Sequence, residues 1–360
     1  MGILRIILAI SVVLAHTSSI FGLNLVGGQT AVQIFYIISG FYMALVLNEK
    51  YIAKNNSYFL FISNRLLRLY PIYWVILTFT ILFSVFIYYD SGGRSLGSFD
   101  VYVKYYNNMN FGSFIFLIFT NIFLFLQDTV MFLKLNLTTG NLALTTDYRR
   151  SSPMLFGFLL IPQAWTIGVE IAFYIIAPFI ARKKIQIIIF LIALSIILRL
   201  VLYYYLGYNK DPWTYRFFPT ELVFFMLGIV AYHLYKKIKG LEINEAILNS
   251  IWIGIIALTI LYSIIEIEYK EIYYFVLFFI ALPFIFILTK RNKIDTYIGE
   301  LSYPIYISHW LIVVIINYLK IPYLESTGIV VVIITILFSI LLNELIAKNI
   351  EKIRQKRVRK

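Results

Sequence analysis

The sequence of 360 residues has no cysteine, three histidines and only 14% charged residues. Without cysteine there is no disulfide scaffold and no thiolate metal site. Metal chemistry would have to draw on three histidines in distant segments, so no metal centre is expected. A Walker loop, a GxGxxG after a strand and an HExxH are all missing, as are internal repeats and any Ser/Pro/Gly-rich linker. Acidic charge is scarcer than basic, with 18 Asp+Glu against 31 Lys+Arg and a net charge of +13. A soluble globular protein averages about 25% charged residues, so the shortage excludes a water-soluble enzyme. The 61% hydrophobic content and a mean hydropathy of +0.84 exclude disorder.

What is present is a series of long apolar runs. A helix needs about 20 mostly apolar residues to cross a bilayer core of about 30 Å. Such runs lie at 4–23, 31–48, 70–89, 164–181, 185–206, 217–235, 247–267, 271–289, 301–319 and 327–347, with a shorter run at 111–126. The sequence predicts an all-α polytopic membrane protein of about ten spans, made of one membrane domain over 1–347 and a basic tail over 348–360. The first run resembles a secretory signal, with Arg5 ahead of an apolar stretch. Because another span follows it directly, it is expected to be a retained helix.

Loops on the cytoplasmic side are enriched in Lys and Arg. With the N-terminus inside and 111–126 not crossing, most basic residues fall inside: Arg5, Lys50, Lys54, Arg65, Arg68, Arg182–Lys184, Lys236, Lys237, Lys239, Lys290, Arg291, Lys293 and the tail from Lys348 to Lys360. Both termini are therefore expected in the cytoplasm, and 111–126 is expected to be re-entrant or surface-lying. The tail is read as a topology anchor on anionic membrane lipid, and no nucleic acid is needed to explain the surplus charge.

Ionisable residues within a span are costly and by default mark function. They are His16, Glu170, Arg199, Glu221, His233, His309 and Glu344, with Arg5, Arg65, Arg68 and Arg216 near membrane faces. Arg5 and His16 are eleven residues apart, which on a continuous helix places both on one face about 16 Å apart. A cation at the rim and an imidazole deeper in the membrane suit a donor with a phosphorylated head and a reactive tip. The alternative is an interfacial Arg and a hydrogen-bonded His. Arg65 and Arg68, three apart, share a helical face and form either a diphosphate clamp or a topology signal. Pro71 after them suits the first turn of the next helix. Glu170 could orient a histidine, or pair with Arg199 or Arg216, and Glu221 could form a structural pair. Around His309, residues Ser302, Tyr303, Tyr306 and Ser308 make a hydroxyl-rich helix, which serves tight packing or lines a polar substrate path.

Six of these stretches, in order, resemble acyltransferase family 3, the bacterial transmembrane O-acyltransferases. Arg5-x10-His16 looks like its basic-residue-x10-His signature, and Phe35-Tyr36-Ile37-Ile38-Ser39-Gly40-Phe41 is similar to FFxxSGF. Arg65-x2-Arg68 with Leu69-Tyr70-Pro71-Ile72-Tyr73-Trp74 resembles RxxRIxPxYW. Trp165 to Tyr174 resembles WSLSVEEQFY, with Thr166 and Gly168 in place of its serines and Ile171-Ala172 in place of Glu-Gln. Glu221 with Phe224 to Gly228, and Ser302 to His309, resemble two further elements. The resemblance implies an O-acyltransferase of the bacterial inner membrane, moving an acetyl or other acyl group from acyl-CoA to a surface polysaccharide such as O-antigen or exopolysaccharide, or to its lipid-linked precursor. In that scheme Arg5, Arg65 and Arg68 hold the acetyl-CoA phosphates and His16 is the base. Glu170 orients or charges His16. His309 lines the acceptor path or stabilises the oxyanion, and Ser39, Trp165, Ser302, Tyr303 and Tyr306 line the path. The competing classes are a flippase for a lipid-linked glycan and a polysaccharide polymerase.

Overall fold

The computed structural model describes residues 1–51, 58–320 and 327–359, so Lys54 and Lys360 of the basic set lie outside the described residues. Among the described residues nine helices are long and apolar enough to cross a membrane, and two shorter apolar helices, Gly2–Leu14 and Phe111–Phe123, accompany them. The fold is all-α and polytopic apart from one small hairpin. Contacts divide the chain into two compact units. The first comprises Met1–Leu69, Tyr174–Leu194 and Leu222–Lys360, and the second Tyr70–Phe173 and Ser195–Glu221.

In the first unit helix α1 (Gly2–Leu14) is packed by α2 (Gly28–Glu49) and by four helices whose ranges follow, α9, α11, α12 and α13. These are α9 (Glu245–Leu261), α11 (Lys293–Glu300), α12 (Ser302–Leu319) and α13 (Thr327–Leu342). Ala9, Val13 and Leu14 pack with Leu301, Ile305, Ile312 and Val331 in one buried cluster. The first amides of a helix have no partner within it. Here Asp295 supplies one, its carboxylate accepting from Gly2 N at 2.7 Å and Ile3 N at 3.0 Å. Gly2 also lies against the backbone of Asp295 and Gly299, where a Cβ would collide.

The first span expected over 4–23 is corrected: its helix stops at Leu14. His16 N and Thr17 N bond three residues back, to Val13 and Leu14, and Phe21, Gly22, Leu25 and Gly27 then take positive φ values that no right-handed helix continues through. A second correction concerns Pro71, expected in a first turn. It lies inside α3 (Tyr58–Asp90), because the segment 58–69 is itself helical and runs on into the span without a break. Membrane helices tolerate such a proline; the carbonyl it frees is that of Leu67, and Tyr303 Oη donates two residues further on, to the Leu69 carbonyl at 2.7 Å.

Helix α8 (Phe218–Ile238) crosses α2 with backbones in contact at Gly40 and Gly228. A Cβ at Gly40 would be driven into the Phe225 carbonyl, and one at Gly228 into that of Ile37. Without a hydrophobic drive between helices in lipid, small residues that let backbones approach are what hold such a pair. The two glycine motifs singled out in the sequence therefore meet each other. Outward faces are apolar, as on α7 (Ile185–Leu200), where Ile189, Phe190 and Ile197 are exposed. Helix α10 (Lys270–Thr289) pairs with α9, joined by the Thr259 and Tyr274 hydroxyls at 2.8 Å.

The basic tail is helical. After a π-turn at Asn343–Ala347 it forms α14 (Lys348–Arg359). Arg354 Nε donates to the Asn64 carbonyl at 2.8 Å and Arg357 Nη2 to Ser63 Oγ at 2.8 Å.

The second unit holds the short helices α4 (Asp100–Tyr105) and α5 (Phe111–Phe123), an antiparallel hairpin of β1 (Leu133–Leu135) and β2 (Leu142–Leu144), and the start of α6 (Trp165–Ile180). At 1.5 Å per residue α5 is about 20 Å long, short of a bilayer core. It is capped by Asn110, whose side chain accepts from Ser113 N at 2.7 Å, and it ends where Leu124 turns left-handed. Buried Asn121 fastens it, donating to Tyr102 Oη and the Phe158 carbonyl while accepting from Leu160 N.

Gly228→Ala is expected to lower Tm in detergent by an overpacking cost of about 1–3 kcal/mol. Gly254→Ala, on an open part of α9 where a Cβ meets nothing, should leave Tm unchanged or raise it. Equal melting of both variants would show that the α2–α8 contact does not hold the fold.

Candidate functional site

Helix α1 carries the chain about 14 Å from Arg5 to Leu14, and His16 follows one turn later. Arg5 and His16 thus belong to the two ends of one buried helix, although His16 is not on the helix itself as the eleven-residue spacing had implied. His16 is exposed, and its ring stacks on that of His309 with centroids 5.4 Å apart and planes inclined by 23°. The edge of Trp310 meets His16 at 5.5 Å.

His309 is fully buried on α12. Its Nδ1 lies 2.7 Å from the Tyr306 carbonyl, which can only accept, so Nδ1 carries the hydrogen and Nε2 the lone pair. Nε2 has no hydrogen-bond partner among the described residues. In this tautomer His309 can accept a hydrogen bond or a proton, and it cannot donate to an oxyanion. The hydroxyls near it are turned to backbone: Ser302 donates to the Gly299 carbonyl at 2.8 Å and Ser308 to that of Pro304 at 2.7 Å. Tyr303 is bonded to Leu69 as above, and Tyr306 and Ser39 are buried.

The predicted arginines also come together in the first unit. Arg5 and Arg68 are both within electrostatic reach of Tyr42 and Glu300, and Arg65 and Arg68 are within reach of Arg354. Arg65 is 5% exposed, lies over the Phe61 ring at 5.7 Å and leaves its Nε without a partner. The unit therefore carries cations around the start of α1 and an imidazole pair beyond its end.

Trp165 and Glu170 belong to the second unit, on the first turns of α6. Trp165 is buried beneath Arg216, whose guanidinium carbon is 4.2 Å from the ring centre. Arg216 is paired with Asp211 at 2.7 Å and 3.1 Å. Arg199 is paired with fully buried Glu221 at 2.6 Å. Each arginine considered for Glu170 thus has another carboxylate. Glu170 is half-buried. Glu344 is exposed and bonded to Lys348 and Tyr297.

Sequence reasoning passed over Asp128. It is the single acid between Asp100 and Asp147, just past the apolar run of α5, and that isolation was the available signal. Its carboxylate is buried against Gly168, where a Cβ would come within 3.1 Å of Oδ1 and 2.9 Å of the Leu124 carbonyl. Glycine in place of the motif's serine is explained by that approach. Burial pushes the Asp128 carboxyl up to about 7, against the pull of the backbone N–H groups of Asp128 and Thr129. No group of three His, Cys, Asp or Glu that could hold a metal ion occurs among the described residues.

A family model described as an acyltransferase domain matches residues 1–344, nearly the whole chain. The chain belongs to acyltransferase family 3. It is a multi-pass membrane protein of an acyltransferase family. An uncharacterized protein of Aquifex aeolicus (strain VF5) is 29% identical over 206 residues, covering 54% of this chain and 89% of the relative. No solved structure matches.

A carboxyl whose folded pKa lies above its unfolded value near 3.9 holds its proton more tightly when folded. Asp128 therefore costs nothing below about pH 4, and stability declines as pH rises toward 7, levelling off above it. Asp128→Asn is expected to melt above the parent, by a margin that widens between pH 5 and pH 8. A margin that stays constant over that range would show that the buried carboxyl is not the titrating group.

Proposed function

We propose that the protein moves an acyl group, acetyl in the simplest case, from cytoplasmic acyl-CoA to a hydroxyl of a surface polysaccharide, such as O-antigen or exopolysaccharide, or its lipid-linked precursor. The observation that carries this reading is the stacked His16–His309 pair beyond the far end of the helix that carries Arg5 near its start, where Arg68 shares with Arg5 the neighbours Tyr42 and Glu300. An acyl-CoA has the same layout. Its phosphates need cations, for which guanidinium forks are suited, and its thioester sits at the end of a long neutral arm.

In this reading the phosphates lie by Arg5, Arg65 and Arg68 and the thioester by His16. His16 removes the proton from the acceptor hydroxyl as its oxygen attacks the thioester carbonyl. The new C–O bond forms, the C–S bond breaks and the proton passes from His16 to the departing CoA thiolate. His309, held in one tautomer by Tyr306, presents a lone pair beside that exchange and keeps the His16 ring in place by stacking. Two charged imidazoles at stacking distance repel, so the pair does not carry a charge on both rings at once. The basic residues grouped on one side support a donor site that faces the cytoplasm, and in this reading the membrane is the bacterial inner membrane.

Membranes containing the purified chain are expected to transfer radiolabel from acetyl-CoA to glycan, and His16→Ala to slow transfer by at least about a hundredfold. Arg65→Gln and Arg68→Gln are expected to raise the KM for acetyl-CoA about tenfold each without changing the acceptor. Absence of label on glycan would overturn the reading, and glycan crossing the membrane without acylation would indicate a flippase.

A further inference from the structure

The sequence gives the basic tail a topological role only, and the family match ends at residue 344, before α14 begins. The fold does something more specific with this helix. Arg354 and Arg357, three apart and so on one face, turn onto the segment that carries Arg65 and Arg68, bonded to Asn64 and Ser63. Arg354 is 11% exposed in its side chain and lies close enough to Arg65 and Arg68 to be repelled by both. Like charges brought together and partly buried cost free energy unless an anion sits among them.

The protein supplies too few anions. Glu351 bonds Arg354 on its own helix. Glu300 is within reach of Arg5 and Arg68 but also of Glu351 and Lys348. Asp295 is taken up by the first amides of α1. Arg65, Arg68 and Arg357 form no ion pair with a carboxylate among the described residues, and the buried Nε of Arg65 has no hydrogen-bond partner among them. By contrast Arg199 and Arg216 are each matched to a carboxylate. The arginines near α14 are the ones left for a ligand.

We propose that α14 completes a phosphate site: Arg354 and Arg357 join Arg65 and Arg68 to bind the phosphates of a soluble, phosphate-bearing acyl donor. The assignment of the anion to the donor rests on the function proposed above. The cluster itself rests on the geometry. An anionic lipid headgroup presents the same phosphate chemistry, and the test separates the two sources.

The test uses the full chain in a neutral detergent, with CoA and inorganic pyrophosphate as probes and pantetheine, which lacks phosphate, as control. Arg354→Gln and Arg357→Gln are expected to weaken both phosphate probes by about tenfold each and to leave pantetheine unaffected. A Lys352→Gln/Lys356→Gln variant removes two charges from exposed positions of the same helix and is expected to bind as the parent does. Equal binding by parent and arginine variants overturns the site, as does a parent that fails to bind pyrophosphate. Because both arginines also tie α14 down, a second measurement uses the unaltered protein. Pyrophosphate at about ten times its Kd should slow tryptic cleavage after Arg354 and Arg357 about tenfold, and an unchanged rate overturns the proposal. Protection by phosphatidylglycerol micelles that pyrophosphate does not relieve assigns the cluster to lipid and overturns the donor site. Pyrophosphate binding without CoA binding keeps the phosphate site and rejects acyl-CoA as the donor.

Discussion

The first unit depends on a polar bond placed where it is expensive to omit, the carboxylate of Asp295 on the opening amides of α1. A helix of 13 residues packed on several sides leaves its terminal N–H groups nowhere to find water. One side chain from α11 satisfies two of them and fixes the start of α1 against α11. Gly2 and Gly299 allow the backbones to meet there. With that end fixed, the apolar side chains of α1 set its register against α12 and α13. The loop beyond Leu14 then brings His16 against His309.

The charges of the protein fall into two groups by what their surroundings do with them. In the second unit, Arg199 and Arg216 are each matched to a carboxylate at hydrogen-bond distance, and Arg216 also lies over the face of Trp165. Such pairs are compensated and hold local structure together. Arg65, Arg68 and Arg357 form no ion pair with a carboxylate among the described residues, and Arg354 pairs with Glu351 of its own helix. The physical distinction is local charge balance, and a list of ionisable residues within spans does not reveal it.

The motif residues divide in a similar manner. Gly40 and Gly228 come from separate motifs and turn out to be one feature, the closest approach of α2 and α8. Gly168 is the point where the start of α6 meets the buried carboxyl of Asp128. Ser302 and Ser308 return hydrogen bonds to their own helix, and Tyr303 supports a carbonyl next to Pro71. His309 stands apart, since its ring is buried and half-satisfied, with one nitrogen committed and the other open.

The sequence by itself determined the membrane class and most of the helices, because a run of about 20 apolar residues has few other solutions in a bilayer. It also placed Arg5, His16, Arg65, Arg68 and His309 on the list of residues worth explaining, because charge in an apolar segment is conspicuous. It misplaced the end of α1, where the left-handed residues after Ser19 interrupt an apolar run that hydropathy reads as continuous. It misplaced Pro71 because a proline compatible with a first turn is also tolerated inside a membrane helix. Pairing was decided only by the tertiary structure: Arg199 with Glu221, His16 with His309, α14 with the Ser63–Arg68 segment. Each joins residues distant in the chain or on separate elements. Local pattern can mark a charge as costly, but which partner relieves the cost depends on three-dimensional packing.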